Sequence, residues 1–273
     1  MPTDIRAEII KQIRRPAHWL LLAVALVLTL TFAYLIPYLG LSGRTEGPGS
    51  ARGLDAMLPA EFVGSTVAGT PVFLGALAVI FGVLVAGSEY GWQTWKTVFT
   101  QAPSRPRVFA AKVVVTAAGT LLLVVTLLAA GAAASAAVAG LQDAPLDWPS
   151  PGELLTGAAA GWLITTMWAM LGVFLSVALR GVALPIGLGL VWLLAVQNLL
   201  SAVAAPLLDW IADLQRALPG PNAGSLVAAL GAPEGAPGVS ALTGAGHATL
   251  VLAAYLVGFT LLSGWLLHRR DIT

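Results

Sequence analysis

Six stretches of this chain contain no Asp, Glu, Lys or Arg: Pro16–Gly43, Phe62–Ser88, Val113–Gln142, Leu154–Leu179, Gly181–Leu208 and Gly235–His268. A helix that crosses a bilayer needs about 20 mostly apolar residues, so each stretch holds one crossing and none comfortably holds two. Trimmed to their most apolar parts they give spans at 17–40, 67–87, 110–138, 155–179, 182–204 and 247–267. Only helices and closed barrels satisfy every backbone polar group in lipid. Barrel strands would alternate in polarity over about 10 residues. These runs are continuous and longer, which selects helices.

Composition agrees. Of 273 residues, 58% are hydrophobic and 10% charged, where a soluble domain carries about 25% charged residues. A chain of this size in water would still need a charged skin. Cysteine is absent, which excludes disulfides, thiolate metal sites and cysteine nucleophiles. The first apolar run follows positive charge, as a signal peptide does. It is longer than the apolar core of a signal peptide and shows no clear small-residue cleavage site, so it reads as a retained span.

Six spans sort the charges between two compartments. Eleven Lys and Arg fall on one side: Arg6, Lys11, Arg14, Arg15, Lys96, Arg105, Arg107, Lys112, Arg180, Arg269 and Arg270. Arg44, Arg52 and Arg216 fall on the other. Acids show the reverse, with four against nine. The positive-inside rule puts the basic side, and with it both termini, in the cytoplasm.

Before the first span, Ile5, Ile9 and Ile13 recur every four residues among Arg6, Glu8, Lys11, Arg14 and Arg15. That pattern predicts an amphipathic helix within 1–16, lying in the headgroup plane and turned into the span at Pro16. The alternative is a solvated basic tail that only sets topology. Outside, residues 41–66 and 139–154 form loops. The largest outer segment, 205–246, carries Leu207, Leu208, Trp210, Ile211, Leu214 and Leu218 at helical spacing. Pro219, Gly220 and Pro221 are expected to stop that helix, with a second short one at 223–230, the pair dipping into the outer leaflet; the alternative is an ordinary amphipathic surface helix.

Motifs for chemistry are few. No phosphate-binding Gly-x-x-x-x-Gly-Lys-Ser/Thr and no His-Glu-x-x-His occurs. His18, His247 and His268 sit at span ends, as interfacial residues do. Asp209 and Asp213 share a helix face and suit solvent better than a cation. The trimmed spans hold essentially no ionisable group beyond Lys112, which argues against an ion-coupled pump. Gln197 and Asn198 suit helix–helix hydrogen bonds, and Gly157-x-x-x-Gly161 permits close helix approach. Trp19, Trp148, Trp210 and Trp265 fall near span ends, as an aromatic belt requires.

The most distinctive segment joins the second and third spans. Residues 88–107 read Ser-Glu-Tyr-Gly-Trp-Gln-Thr-Trp-Lys-Thr-Val-Phe-Thr-Gln-Ala-Pro-Ser-Arg-Pro-Arg, followed by Lys112. Trp92, Trp95, Val98 and Phe99 are expected on one face of a short helix ended by Pro103 and Pro106, suited to a soluble partner or to the lipid surface. Glu89-Tyr90, Thr94, Thr97, Pro103-Ser104-Arg105 and Lys112 together resemble the permease subunits of ABC-2-type ATP-binding cassette transporters. So do the basic helix before span one, Leu218-Pro219-Gly220-Pro221-Asn222-Ala223-Gly224 in the last outer loop, and Arg269-Arg270-Asp271. The sequence departs at Gln93, where that family commonly places glycine.

The resemblance implies a single permease domain over 1–273, all-α, with a cytoplasmic coupling loop at 88–109 and short outer helices in 205–246. It implies two separate ATPase subunits that hold ATP and Mg, no cofactor on this chain, a second permease chain, identical or homologous, and membrane lipids as surroundings, with no nucleic acid. In that scheme Glu89, Tyr90, Trp92, Thr94, Trp95, Thr97, Val98, Phe99, Pro103, Arg105 and Lys112 couple to the ATPase. Trp210, Leu214, Pro219 and Asn222 cap the exit. The location implied is a bacterial inner membrane and the direction export. An ion-driven carrier, or a non-transporting scaffold or intramembrane enzyme, are the other classes open to such a chain.

Overall fold

A computed structural model describes residues 2–46, 49–95, 104–200, 208–233 and 235–269. Among them every regular element is helical, and there are no strands. The elements are α1 (Pro2–Ile13), α2 (Pro16–Leu41), α3 (Phe62–Val67), α4 (Phe73–Gly91), α5 (Arg105–Leu141), α6 (Pro151–Leu179), α7 (Ala183–Leu199), α8 (Asp209–Gln215), α9 (Pro219–Ala228) and α10 (Ala245–Arg269). Five helices (α2, α4, α5, α6 and α10) are long and apolar enough to cross a membrane, and α7 is a shorter apolar helix. The span expected at 182–204 runs into residues outside the described set after Leu200.

The expected second span began at 67, but α4 begins at Phe73. Phe62–Val67 forms α3 instead, and Pro71 falls between the two helices. α4 then runs to Gly91, four residues beyond the expected end. α6 opens with a capping box. Ser150 Oγ accepts from Glu153 N–H, and the Glu153 carboxylate accepts from Ser150 N–H at 2.6 Å. Two orphan N–H groups are satisfied together, which takes Glu153 out of the loop and into the helix. α5 is 37 residues long, or about 55 Å at 1.5 Å per residue. That is well over the hydrocarbon thickness of about 30 Å.

α4 and α6 form the centre. In each, 67% of the most apolar window is buried, against 17% for α10. Their axes approach closely because both helices carry glycine at the crossing. A Cβ on Gly82 would strike the Ala169 carbonyl, and one on Gly172 would strike the Val79 carbonyl. Fully buried Trp168 fills the space beside Gly75. Gly157 and Gly161 also serve approach, facing Val63 of α3 and Val124 of α5. Outside this pair, α5 and α10 present Leu122, Val125, Leu250 and Leu261 outward. Lipid accommodates such a surface and water does not.

The short outer helices differ from expectation. Pro219 does not merely end a helix; it occupies the first turn of α9, where its missing N–H costs nothing. α9 is buried rather than laid in a leaflet. Asn222 Nδ2 donates to the Arg216 and Leu218 carbonyls at 2.9 and 2.7 Å, and its Oδ1 accepts from Thr243 at 3.0 Å.

Contacts gather the basic segments at one end of the bundle. Arg15 donates to Leu84 O at 2.9 Å, Gly87 abuts Gly181 O, and Arg105 donates to Leu267 O at 3.4 Å.

Replacing Gly82 or Gly172 with Val should force α4 and α6 apart. Overpacking of this kind costs about 1–3 kcal/mol. A lowered thermal midpoint in detergent, with loss of the monodisperse peak in size-exclusion chromatography, is the expected result.

Candidate functional site

At the basic end α1 turns an unusual face inward. Asp4, Glu8, Lys11 and Gln12 form one stripe at helical spacing, with Arg15 just past the helix end, and Glu8 and Gln12 on it are buried. The opposite face carries Ile9, Ile10 and Ile13, with Ile13 57% exposed, while Ile5 is half-buried and Arg14 exposed. A helix resting on a protein from the water side would show the reverse pattern. The isoleucine face suits a lipid surface.

The stripe meets α4 and α5 in a buried ion cluster. Lys112 Nζ donates to Glu8 Oε2 at 3.1 Å, to Glu89 Oε1 at 3.0 Å and to the Val85 carbonyl at 3.2 Å. An ammonium has three N–H donors, and all three are used. Lys11 Nζ donates to Glu8 Oε1 at 2.7 Å and to Glu89 Oε1 at 3.0 Å. Lys112, Glu89 and Glu8 expose 5% or less of their side chains. Two carboxylates and two ammoniums sum to zero charge. Desolvation pulls Lys11 down, but the Glu8 and Glu89 carboxylates outweigh it and hold the ammonium above the ordinary lysine value. A second pair, Arg107 Nε to Asp4 at 3.3 Å, ties α1 to α5 again.

Within the bounds expected for the spans Lys112 stands alone, and its partners come from just outside those bounds. Because α4 continues to Gly91, Glu89 is a helical residue and buried. The cluster carries no orphan carboxylate of the kind a proton pump cycles, since each acid faces two ammoniums.

The loop between α4 and α5 is anchored to the same cluster. α4 ends at Gly91 with Trp92 as its cap, and Gln93 adopts φ 54°, the left-handed region that glycine enters freely and other residues enter at about 1–2 kcal/mol. The departure from the family pattern therefore sits where glycine is conformationally favoured. Beyond the reversal, Thr94 Oγ1 donates to Glu89 Oε2. Trp95, 2% exposed, packs on Tyr90 with ring centroids 5.5 Å apart and lies 5.2 Å from Lys112 Nζ. Trp92 is 64% exposed and lies 4.7 Å from the Arg15 guanidinium. Trp92 and Trp95 thus do not share a helix face as expected, because the reversal at Gln93 separates them. Thr97, Val98, Phe99 and Pro103 lie outside the described residues. At the far end of the loop, Arg105 donates to the Leu267 and His268 carbonyls of α10.

The four outer residues divide. Trp210 and Leu214 are exposed on α8, while Pro219 and Asn222 are buried in α9, so they form no common surface. Asp213 makes an exposed pair with Arg216 at 3.4 Å. Asn198 bonds its own helix at Leu194 O rather than a neighbour, and Gln197 is buried. No cluster of three or more His, Cys, Asp or Glu that could hold a metal occurs among the described residues. Sequence reasoning counted Glu8 as a topological charge and missed its partners. The signal was present in Asp4, Glu8, Lys11 and Gln12 sharing one face.

Apolar helices around a buried cluster at one end define a multi-pass membrane protein with a fastened loop between two of its long helices. The profile of the ABC-2 family transporter proteins matches residues 5–196. The chain belongs to that family and is a membrane component of a transporter. No curated protein matches it.

Lys112→Met should destabilise by about 3–5 kcal/mol, because two buried carboxylates would share the half-exposed Lys11 as their one remaining ammonium. Chemical denaturation in detergent measures it, and Lys112→Met with Glu89→Gln should cost less than Lys112→Met alone. Gln93→Gly should gain up to about 1 kcal/mol, and Gln93→Val should lose stability, in the same assay.

Proposed function

We propose that this chain is the membrane-spanning subunit of an ATP-driven exporter. It crosses a bacterial inner membrane six times with both ends in the cytoplasm. It pairs with a second permease chain, and two separate ATPase subunits hold ATP and Mg. The observation that carries the reading is the fastening of the loop at both ends. Thr94 and Trp95 rest on the Glu89–Lys112 cluster, and Arg105 holds the end of α10. A partner that displaces residues between them acts on α1, α4, α5 and α10 together.

Family membership supports an ATPase partner. Six crossings are supported by the course of α7. It leaves the Arg180 turn beside Gly87, and Gln197 near its other end meets Gly220 of α9 at the opposite end of the bundle. In this reading Phe99 and its neighbours seat in the ATPase, while Glu89, Thr94, Trp95 and Lys112 hold the seat in place. Trp210 and Leu214 offer the exposed outer surface.

Two experiments test this. Reconstituted with its ATPase subunits, the chain should stimulate ATP hydrolysis. Glu89→Gln should reduce that stimulation about tenfold, within the usual range of allosteric coupling, while the complex still assembles. Full stimulation by the assembled variant would reject the coupling role. The chain has no cysteine, so single cysteines can be placed cleanly. Cysteines at Arg105 and Arg269 should react with an impermeant maleimide from the cytoplasmic face, and one at Arg44 from the other. Labelling of Arg105 and Arg269 from opposite faces would reject the topology.

A further inference from the structure

Beside the ion cluster, between α1, α2, α4 and α5, lies a cavity of about 270 Å³. Its walls are apolar, with Trp19, Leu22, Phe81, Leu122 and Leu123 among them, and no charged side chain lines it. It is larger than the engineered apolar cavity of about 150 Å³ that admits benzene.

Two lining side chains break the apolar pattern. Gln12 is 8% exposed, and neither its amide nitrogen nor its amide oxygen has a partner. His18 Nδ1 lies 3.2 Å from the Gln12 backbone carbonyl, while its Nε2 is buried without a partner. A carbonyl only accepts, so Nδ1 carries the proton, and in the neutral ring Nε2 is a bare acceptor. The cavity therefore offers the two N–H donors of the Gln12 amide and two acceptors, Gln12 Oε1 and His18 Nε2, at its polar end. Leaving them unsatisfied is costly, which favours an occupant.

The geometry points to a binding site for an uncharged, hydroxyl-bearing single-chain lipid such as a monoacylglycerol. Its hydroxyl would donate to His18 Nε2 and accept from the Gln12 amide, and its chain would lie along Leu122 and Leu123. An anionic head meets no charged side chain in the lining, and the two cations on the Gln12 face of α1 and just past it are engaged. Lys11 is held by Glu8 and Glu89, and Arg15 by Leu84 O, Ser88 Oγ and the Trp92 ring. The occupant comes from the bilayer rather than from a transport pathway, because the exposed Ile13, Trp19 and Leu122 form the cavity's margin.

The test uses the full chain in phosphatidylcholine nanodiscs without any ATPase, so its result is independent of the exporter reading. The probe is a diazirine-tailed monoacylglycerol. Crosslinks should map to α2 and α5 near Leu122. Unlabelled monoacylglycerol should compete, and a fatty acid methyl ester should compete about tenfold less well, for the loss of its hydroxyl bonds. Gln12→Leu and His18→Phe should each cut labelling about tenfold. Leu123→Trp, which fills the cavity without touching its polar end, should abolish labelling and decides the matter if either polar variant folds poorly. Equal competition by the methyl ester, or labelling indifferent to Leu123→Trp, would overturn the site and leave only annular lipid.

Discussion

The positions of α1, α4 and α5 at the basic end follow from one requirement: Lys112 must have its acids. An ammonium taken out of water pays several kcal/mol, which only close, fully bonded anions offset. Glu89 arrives from the end of α4 and Glu8 from α1, and Lys11 balances the second carboxylate. Three elements distant in sequence are thereby fixed to within a hydrogen bond of one another. The loop after α4 inherits that order, because Thr94 bonds the same Glu89 carboxylate and Trp95 covers the same ammonium.

Away from that end the organising force changes. Lipid is as apolar as a leucine side chain, so helices in it gain little from burying leucine against leucine. Association rests on close packing and on hydrogen bonds instead. The α4–α6 crossing shows this with Gly82 against the Ala169 carbonyl and Gly172 against the Val79 carbonyl. Between α5 and α6, Thr120 and Thr166 share a hydrogen bond of 2.7 Å, and Trp162 donates to Ala117 O at 2.8 Å. At the opposite end, buried α9 is secured through Asn222 and Ser225, whose hydroxyl accepts from Leu242 and Thr243 N–H.

The long helices were legible because exclusion of charge over about 20 residues has one common cause, a hydrocarbon solvent. The family was legible from the loop motif and its neighbours. Less could be read where residues act through partners far away in sequence. Glu8 looked like one more charge on the polar face of an interfacial helix until its oxygens met Lys112. Glu89 looked like a loop residue because its charge ended an apolar run, whereas the helix carries it inward to an ammonium. Trp92 and Trp95 match a helical repeat on paper, and the left-handed backbone at Gln93 breaks it. The exposed pair Trp210 and Leu214 and the buried pair Pro219 and Asn222 differ because α9 is swallowed by its neighbours, a tertiary fact without a local marker.

α5 carries no proline beyond its first turn, so no break of the usual kind interrupts its hydrogen-bond ladder. A rod of that construction resists compression along its axis. An axial shift of two or three ångströms imposed at Arg105 would reach Leu141 almost undiminished, far beyond any neighbour Arg105 touches. The two ends of the bundle are thus connected by a strut that is gripped by salt bridges at one end.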